Sequence, residues 1–179
     1  ERVNWSCQTV VGPSGDEPLQ VYEESIPLRG KKPESATYYA SPRGPLLWGD
    51  PGRGDAAMSL AWTGREAGHF FRALAGLNQA RDVARARQAL VDWHLPVLNF
   101  IMADRDHIAH QVAGRLPRRK LGSGLLVAPA WEPGWAWQGC YDFADLPHRV
   151  DPECGYLVSA NHSMASGEGQ FLSWDFNPG

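Results

Sequence analysis

The sequence predicts an α+β chain, mainly antiparallel strands with one helical pair. Three observations carry that reading. Short apolar runs, broken repeatedly by Gly and Pro, fill the stretch from Glu1 to Pro45. Apolar residues at helical spacing follow from Phe70 to Trp93. Val97–Ala103 and Ile108–Ala113 then flank Asp104-Arg105-Asp106, the pattern of a β-hairpin with an Asp-rich turn.

In chain order, breakers at Gly12-Pro13-Ser14-Gly15, Pro18, Pro27, Gly30, Pro33 and Pro42 separate four strand-like runs: Gln8–Val11, Leu19–Ser25, Ser35–Ala40 and Leu46–Trp48. Turns at that density predict short antiparallel strands. Asp50–Asp55 reads as a polar loop and Ala56–Thr63 as a strand. Thr63-Gly64-Arg65-Glu66 fits a capping box that opens a helix through Phe70, Phe71, Leu74, Leu77 and Ala80. A second helix is expected from about Gln79 to Trp93, with Val83, Ala86, Leu90 and Trp93 on one face and Pro96 as its stop. In the hairpin, Ile108, His110 and Val112 point one way and Ala109, Gln111 and Ala113 the other. Gly114 and Pro117 end it. Leu121–Trp135 is loop, and Gly155–Asn161 reads as a final strand. No repeat or low-complexity tract divides the chain, so residues 1–179 are expected to form a single segment.

Composition narrows the function classes. The 179 residues are 43% hydrophobic and 21% charged, as in ordinary globular proteins. A net charge of −3 implies no broad attraction to nucleic acid or to anionic membranes. No apolar run reaches the roughly 18 residues that a membrane-spanning helix needs. Glu1-Arg2-Val3 does not open a signal peptide and reads as a cut inside a longer protein. The three cysteines, Cys7, Cys140 and Cys154, allow one disulfide with a thiol left over; buried free thiols are the simpler expectation.

Individual residues give weak signals on their own. His107 and His110 would lie on opposite faces of a strand, which argues against a shared metal. His69, His94 and His148 are scattered. Asp104 and Asp106 offer too few oxygens for a calcium cage and read as turn residues. Trp62 and Trp93 sit at element boundaries, as core residues do. Trp131, Trp135 and Trp137 are the rings that exposure would turn into an aromatic ligand platform. Arg115, Arg118, Arg119 and Lys120 lack interleaved aromatics and read as a solvated loop.

The order of these pieces resembles the β chain of the penicillin acylases, a family of N-terminal-nucleophile amidohydrolases. The likeness is carried by Leu74-Ala75-Gly76-Leu77-Asn78-Gln79-Ala80, the Ala-Asp turn of the hairpin, Gly114-Arg115-Leu116-Pro117-Arg118-Arg119, Trp137-Gln138-Gly139 and Gly155-Tyr156-Leu157-Val158-Ser159-Ala160-Asn161. Tyr39–Pro45 stands where the family has a Thr-x-His-Gly-Pro motif, with Arg43 in the place of His. The resemblance implies a part of the four-layer αββα sandwich. It implies that the parent is a bacterial hydrolase of linear N-acyl amides: a penicillin side chain, an acyl-homoserine lactone or a related compound, with antibiotic biosynthesis among its settings. Asn161 would be the catalytic residue of this segment, its side-chain amide donating to the oxyanion of the tetrahedral intermediate. The nucleophile would be the first residue of the mature β chain, with its own α-amino group as base. Glu1 cannot fill that role, and Ser6 and Cys7 are internal. The implied partners are the small-molecule substrate and the remaining α- and β-chain segments, in a periplasmic or secreted enzyme. No cofactor is implied; the family often binds structural calcium, whose ligands are not identifiable in this stretch. The reading from another class is a non-catalytic β-rich binding module built on Trp131, Trp135 and Trp137.

Overall fold

The computed structural model describes residues 1–66, 68–122, 124 and 126–160. Two compact units form: Glu1–Trp62 with Gly124–Ala136, and Thr63–Ser123 with the chain from Trp137 onward.

The first unit holds two antiparallel sheets. One is a meander of β1 (Val3–Asn4), β2 (Thr9–Gly12) and β3 (Gly15–Pro18). The other runs in order through β4 (Gln20–Ile26), β5 (Glu34–Ser41), β6 (Gly44–Trp48) and β7 (Met58–Ser59). The four expected runs correspond to β2, β4, β5 and β6. The sequence hides β1 and β3, one because it is two residues long and the other because Gly-Asp-Glu-Pro carries no apolar alternation. Val3, Val10, Leu19 and Ala57 form the buried cluster, with Trp5, Tyr39 and Leu46 packed against it. The strand expected over Ala56–Thr63 shrinks to Met58–Ser59. Its partner β6 shifts register between Leu46 and Trp48, and Leu60 N–H donating to the Pro45 carbonyl (2.9 Å) continues the contact only briefly. Trp62 is consequently not a core residue; it is 59% exposed.

The second unit places a helical pair with the hairpin. The capping box does not form at a helix start. Thr63–Glu66 is a 3₁₀ turn, and α1 runs over Phe70–Gln79 with His69 at its N-cap and no side-chain cap. Gly64 and Gly68, poor helix formers, interrupt the stretch between box and helix. Within α1, Gly76 allows close approach: a Cβ there would lie 2.8 Å from the Ala89 Cβ. The second helix, α2 (Val83–Ala89), starts later than expected and continues as a 3₁₀ turn over Leu90–Asp92. Asp82 sets the start by accepting from the Arg85 amide at 2.7 Å.

The hairpin forms as predicted. β8 (Leu98–Ala103) and β9 (Ile108–Ala113) pair antiparallel from Ala103↔Ile108 to Leu98↔Ala113. β9 is central, with β12 (His148–Val150) on its other edge. Its alternation divides two clusters. Ala113 joins Ala73, Leu90 and Trp93, whereas Val112 joins Leu116 and Leu146. The basic stretch is not a plain loop: β10 (Pro117–Arg119) pairs with β11 (Trp137–Cys140), and Arg119 lies 5.4 Å from the Trp137 ring centroid. The strand expected from Gly155 is absent over residues 155–160. β12 pairs with β9 and ends at Val150. Past it the chain is turned by Asp151 (φ 46°), by Pro152, and by the Gly155 amide donating back to the Pro152 carbonyl at 2.8 Å.

Candidate functional site

Asn161, the expected oxyanion donor, lies outside the described residues. The chain that leads to it is described, and it is fastened at Asp151. There the Asp151 amide donates to the Ile108 carbonyl (3.0 Å), and its carboxylate accepts from the Ile108 amide (2.9 Å). The second carboxylate oxygen meets His107 Nδ1 at 2.6 Å. Beyond this anchor Tyr156 and Val158 are exposed.

These contacts have an electrostatic consequence. The Ile108 amide, and next the His107 ring, hold the Asp151 carboxyl below its usual range. The Asp151 carboxylate in turn raises the His107 pKa above 6.5, with Asp104 and Asp106 adding to it. The pair therefore contributes its full stabilisation between about pH 3.8 and 6.5: it is lost as pH rises through the higher folded value of His107, and as pH falls through the lower folded value of Asp151. An NMR titration is expected to place His107 above 6.5 and Asp151→Asn to bring it back down. A His107 value unchanged by that substitution would contradict the pairing.

The Asp-rich turn is built on Asp104. One carboxylate oxygen accepts from the Asp106 and His107 amides (2.9 and 2.8 Å), and the other accepts from the Val83 amide (2.8 Å) at the start of α2. Asp104 thus closes the hairpin turn and caps α2 together, a role its sequence neighbourhood conceals. Both of its oxygens face N–H donors, so it does not fit a calcium cage. Among the described residues no group of three His, Cys, Asp or Glu side chains gathers at metal-binding distance.

A second polar constellation lies in the first unit. The Glu1 carboxylate is 0% exposed and accepts from Arg43 Nε (2.8 Å), a further Arg43 nitrogen (2.9 Å), Ser41 Oγ (2.9 Å) and Ser59 Oγ (2.6 Å). Arg43 also donates to Glu17 at 2.6 Å. Burial alone would raise the Glu1 pKa, but the hydrogen bonds from Arg43, Ser59 and Ser41 outweigh it and hold the carboxyl below its ordinary value. Glu1 also exchanges backbone hydrogen bonds with Ala57 (2.8 and 3.2 Å), which fixes it on the strand edge. Sequence reasoning missed this cluster, because its partners are 26 to 58 positions apart.

The remaining candidates resolve individually. His110 is buried with Nε2 3.3 Å from Asn99 Oδ1, a satisfied core histidine. His69 and His94, which the sequence left scattered, approach to 6.0 Å between ring centroids. His148 Nδ1 lies 2.9 Å from the Leu146 carbonyl. Trp131, Trp135 and Trp137 are all half-buried, and Arg2 covers Trp131 at 4.2 Å. The cysteines are free and none is buried: Cys7 and Cys154 are exposed and Cys140 is half-buried. No cysteine needs burial here because each sits in a turn or at a strand end.

Known proteins resemble this chain in sequence and in fold. The family model described as Penicillin amidase matches residues 2–179. An acyl-homoserine lactone acylase, QuiP, of Pseudomonas putida KT2440 is 31% identical over 157 residues, covering 87% of this chain and 19% of that protein. Penicillin acylase 2 proenzyme of Pseudomonas sp. SE83 is 28% identical over 164 residues, covering 90% of this chain and 21% of that protein. The thermostable penicillin G acylase from Alcaligenes faecalis has the same fold over 100% of this chain and 33% of its own, with a TM-score of 0.78 at 21% identity. The chain spans about a fifth of the length of the curated relatives it matches.

Proposed function

Because this chain belongs to the penicillin amidase family, we propose that it is a β-chain segment of an enzyme that hydrolyses a linear N-acyl amide, with Asn161 as an oxyanion donor. The family match across residues 2–179 is the observation that carries the reading. In the proposed reaction the nucleophile is the first residue of the mature β chain, outside this segment. Its hydroxyl attacks the amide carbon while its own α-amino group takes the proton. The carbonyl oxygen becomes an oxyanion, and the side-chain N–H of Asn161 donates to it. The C–N bond then breaks, the amine leaves with the proton, and water hydrolyses the acyl ester. A penicillin side chain, an acyl-homoserine lactone and a related N-acyl compound all present that bond. A bacterial enzyme in the periplasm or medium, with antibiotic side chains among its substrates, belongs to the same reading. The calcium of the wider family finds no ligand set in Asp104 and Asp106, whose roles are those of the turn.

The binding-module alternative needs Trp131, Trp135 and Trp137 exposed, and none of them is. The test of the amidase reading is direct. The full-length, processed protein is expected to release free amine from N-acyl-homoserine lactones or from penicillins. Residues 1–179 alone are expected to stay at background with both. Processed enzyme that leaves every such amide intact would refute the proposal. So would turnover by residues 1–179 that disappears on mutating Ser6 or Cys7.

A further inference from the structure

β4 lies at the edge of its sheet, paired with β5 alone. At seven residues it is the longest edge strand among those described, and all seven are exposed. β8, the next longest at six residues, instead packs Phe100 and Met102 against a buried cluster. Every second residue of an edge strand turns its N–H and C=O away from its partner. Among the described residues no backbone group bonds to those of β4. Register places Tyr22, Glu24 and Ile26 on one face with Tyr38, Ala36 and Glu34, and Val21 on the other with Tyr39. Tyr39 packs against the buried cluster of the first unit, so the Tyr22 face turns away from that core. On it the Tyr22 and Tyr38 rings stack at 5.0 Å, and their hydroxyls donate to Gln20 (2.7 Å) and Glu24 (2.9 Å). Tyr22, Tyr38 and Ile26 are exposed beside the carboxylates of Glu24 and Glu34, with Glu23 on the other face. None of these three glutamates forms an ion pair among the described residues.

We infer that the outer edge of β4 receives a strand from a part of the parent enzyme outside residues 1–179, an extended segment with Lys or Arg against Glu23 and Glu24 and apolar side chains against Tyr22 and Ile26. Unpaired backbone and apolar surface on one long edge invite a strand, and natural proteins cover such edges. Main-chain bonds would hold the added strand, and the side chains of β4 would select it. The charges exclude a second copy of this chain. Isologous pairing over the whole of Gln20–Ile26 sets Glu23 opposite Glu23, and like charges directly opposite are destabilising. The parent offers ample chain, because this segment spans about a fifth of the length of its curated relatives. Occupancy of the edge requires the longer protein but not amide hydrolysis, so it is read without turnover.

Hydrogen exchange on the full-length processed protein is the first test. A strand paired on both edges protects consecutive amides, whereas an edge strand protects alternate ones. Val21–Ser25 are therefore expected to be protected without a break, each by about 10²-fold or more over an unstructured chain. Glu23→Lys/Glu24→Lys is expected to speed exchange about 10-fold or more at the amides that face away from β5, and less at those bonded to it. The second test places a benzoylphenylalanine photocrosslinker at Ile26 in a mixture of isotope-labelled and unlabelled full-length protein, without any charge change. The crosslink is expected to join a peptide from outside residues 1–179 with the same label on both sides. Alternating protection, with every second amide of β4 exchanging within about tenfold of an unstructured chain, would overturn the inference and leave the amidase reading standing. So would a crosslink between differently labelled copies, a crosslink confined to residues 1–179, or none at all. A processed enzyme that leaves every N-acyl amide intact would refute the amidase reading and leave this edge as it is.

Discussion

Asn161→Ala in the full-length enzyme is expected to lower kcat by roughly 10²–10³-fold while folding and chain maturation stay intact. The size follows from what an oxyanion donor does. In the ground state the scissile carbonyl is neutral, and one hydrogen bond to it changes little. In the tetrahedral intermediate the oxygen carries a full charge, and a fixed N–H in a site shielded from water is worth about 3–4 kcal/mol to it. Alanine removes that donor and adds no charge or bulk, so the loss falls on kcat rather than on KM. A change below about threefold in a correctly processed enzyme would make Asn161 a turn residue. Asn161→Asp is informative beside it: a carboxylate there would repel the oxyanion, so its kcat is expected to be no higher than that of the alanine variant.

The sequence showed some of this architecture openly and hid the rest for identifiable physical reasons. The β8–β9 hairpin was legible because two local signals agree, an apolar run with alternation and an Asp turn whose side chain bonds its own backbone. The helix starts were misjudged because a capping box is only a four-residue signal. Gly64 and Gly68 spoil it at Thr63, while the effective caps of α2 are Asp82 and the distant Asp104. The run expected as a strand over Gly155–Asn161 has apolar β-formers, but over residues 155–160 none forms, because Asp151, Pro152 and Gly155 turn the chain just after β12. The turn at Asp151 is held by hairpin residues more than 40 positions away, which no local pattern announces. The exposure of Trp62 and the half-burial of Trp131, Trp135 and Trp137 have the same origin, since burial of a large ring is set by neighbours distant in sequence. Asn161 is singled out by its motif alone and lies outside the described residues, whereas no local pattern marks Asp151. Its positive φ and its bond to His107, 44 positions away, emerge only in three dimensions.

Arg43→Met is expected to reduce amide protection around the Glu1 cluster by about 10²–10³-fold in hydrogen exchange on the full-length protein. Arg43 stands in the two-residue loop between β5 and β6, where Ser41 pairs with Gly44. The loop has little freedom: Gly44 sits at φ 152°, and a Cβ there would collide with the Leu60 carbonyl oxygen. That rigid turn aims the guanidinium at Glu1, whose side chain is wholly buried. Methionine keeps much of the aliphatic volume but leaves the Glu1 carboxylate with only two serine hydroxyls. Stranding a buried charge in this way costs about 3–5 kcal/mol, far above the contribution of an exposed pair. The loss is expected at the amides that knit the cluster together, Ala57, Val11 and Leu60, which donate to Glu1, Arg2 and Pro45. Removing the stranded charge as well, in Glu1→Gln/Arg43→Met, is expected to restore at least half of the lost protection on a logarithmic scale, because the serines can still bond a neutral amide. The pH dependence has a definite sign. The folded Glu1 pKa is depressed below 4.5, so its contribution is complete above that value and is lost as pH falls through the lower folded one. Arg43→Met is expected to flatten that acid dependence. Protection within threefold of wild type for the single variant would mean that water reaches Glu1, and that the guanidinium at the position of the family's His is dispensable to the fold.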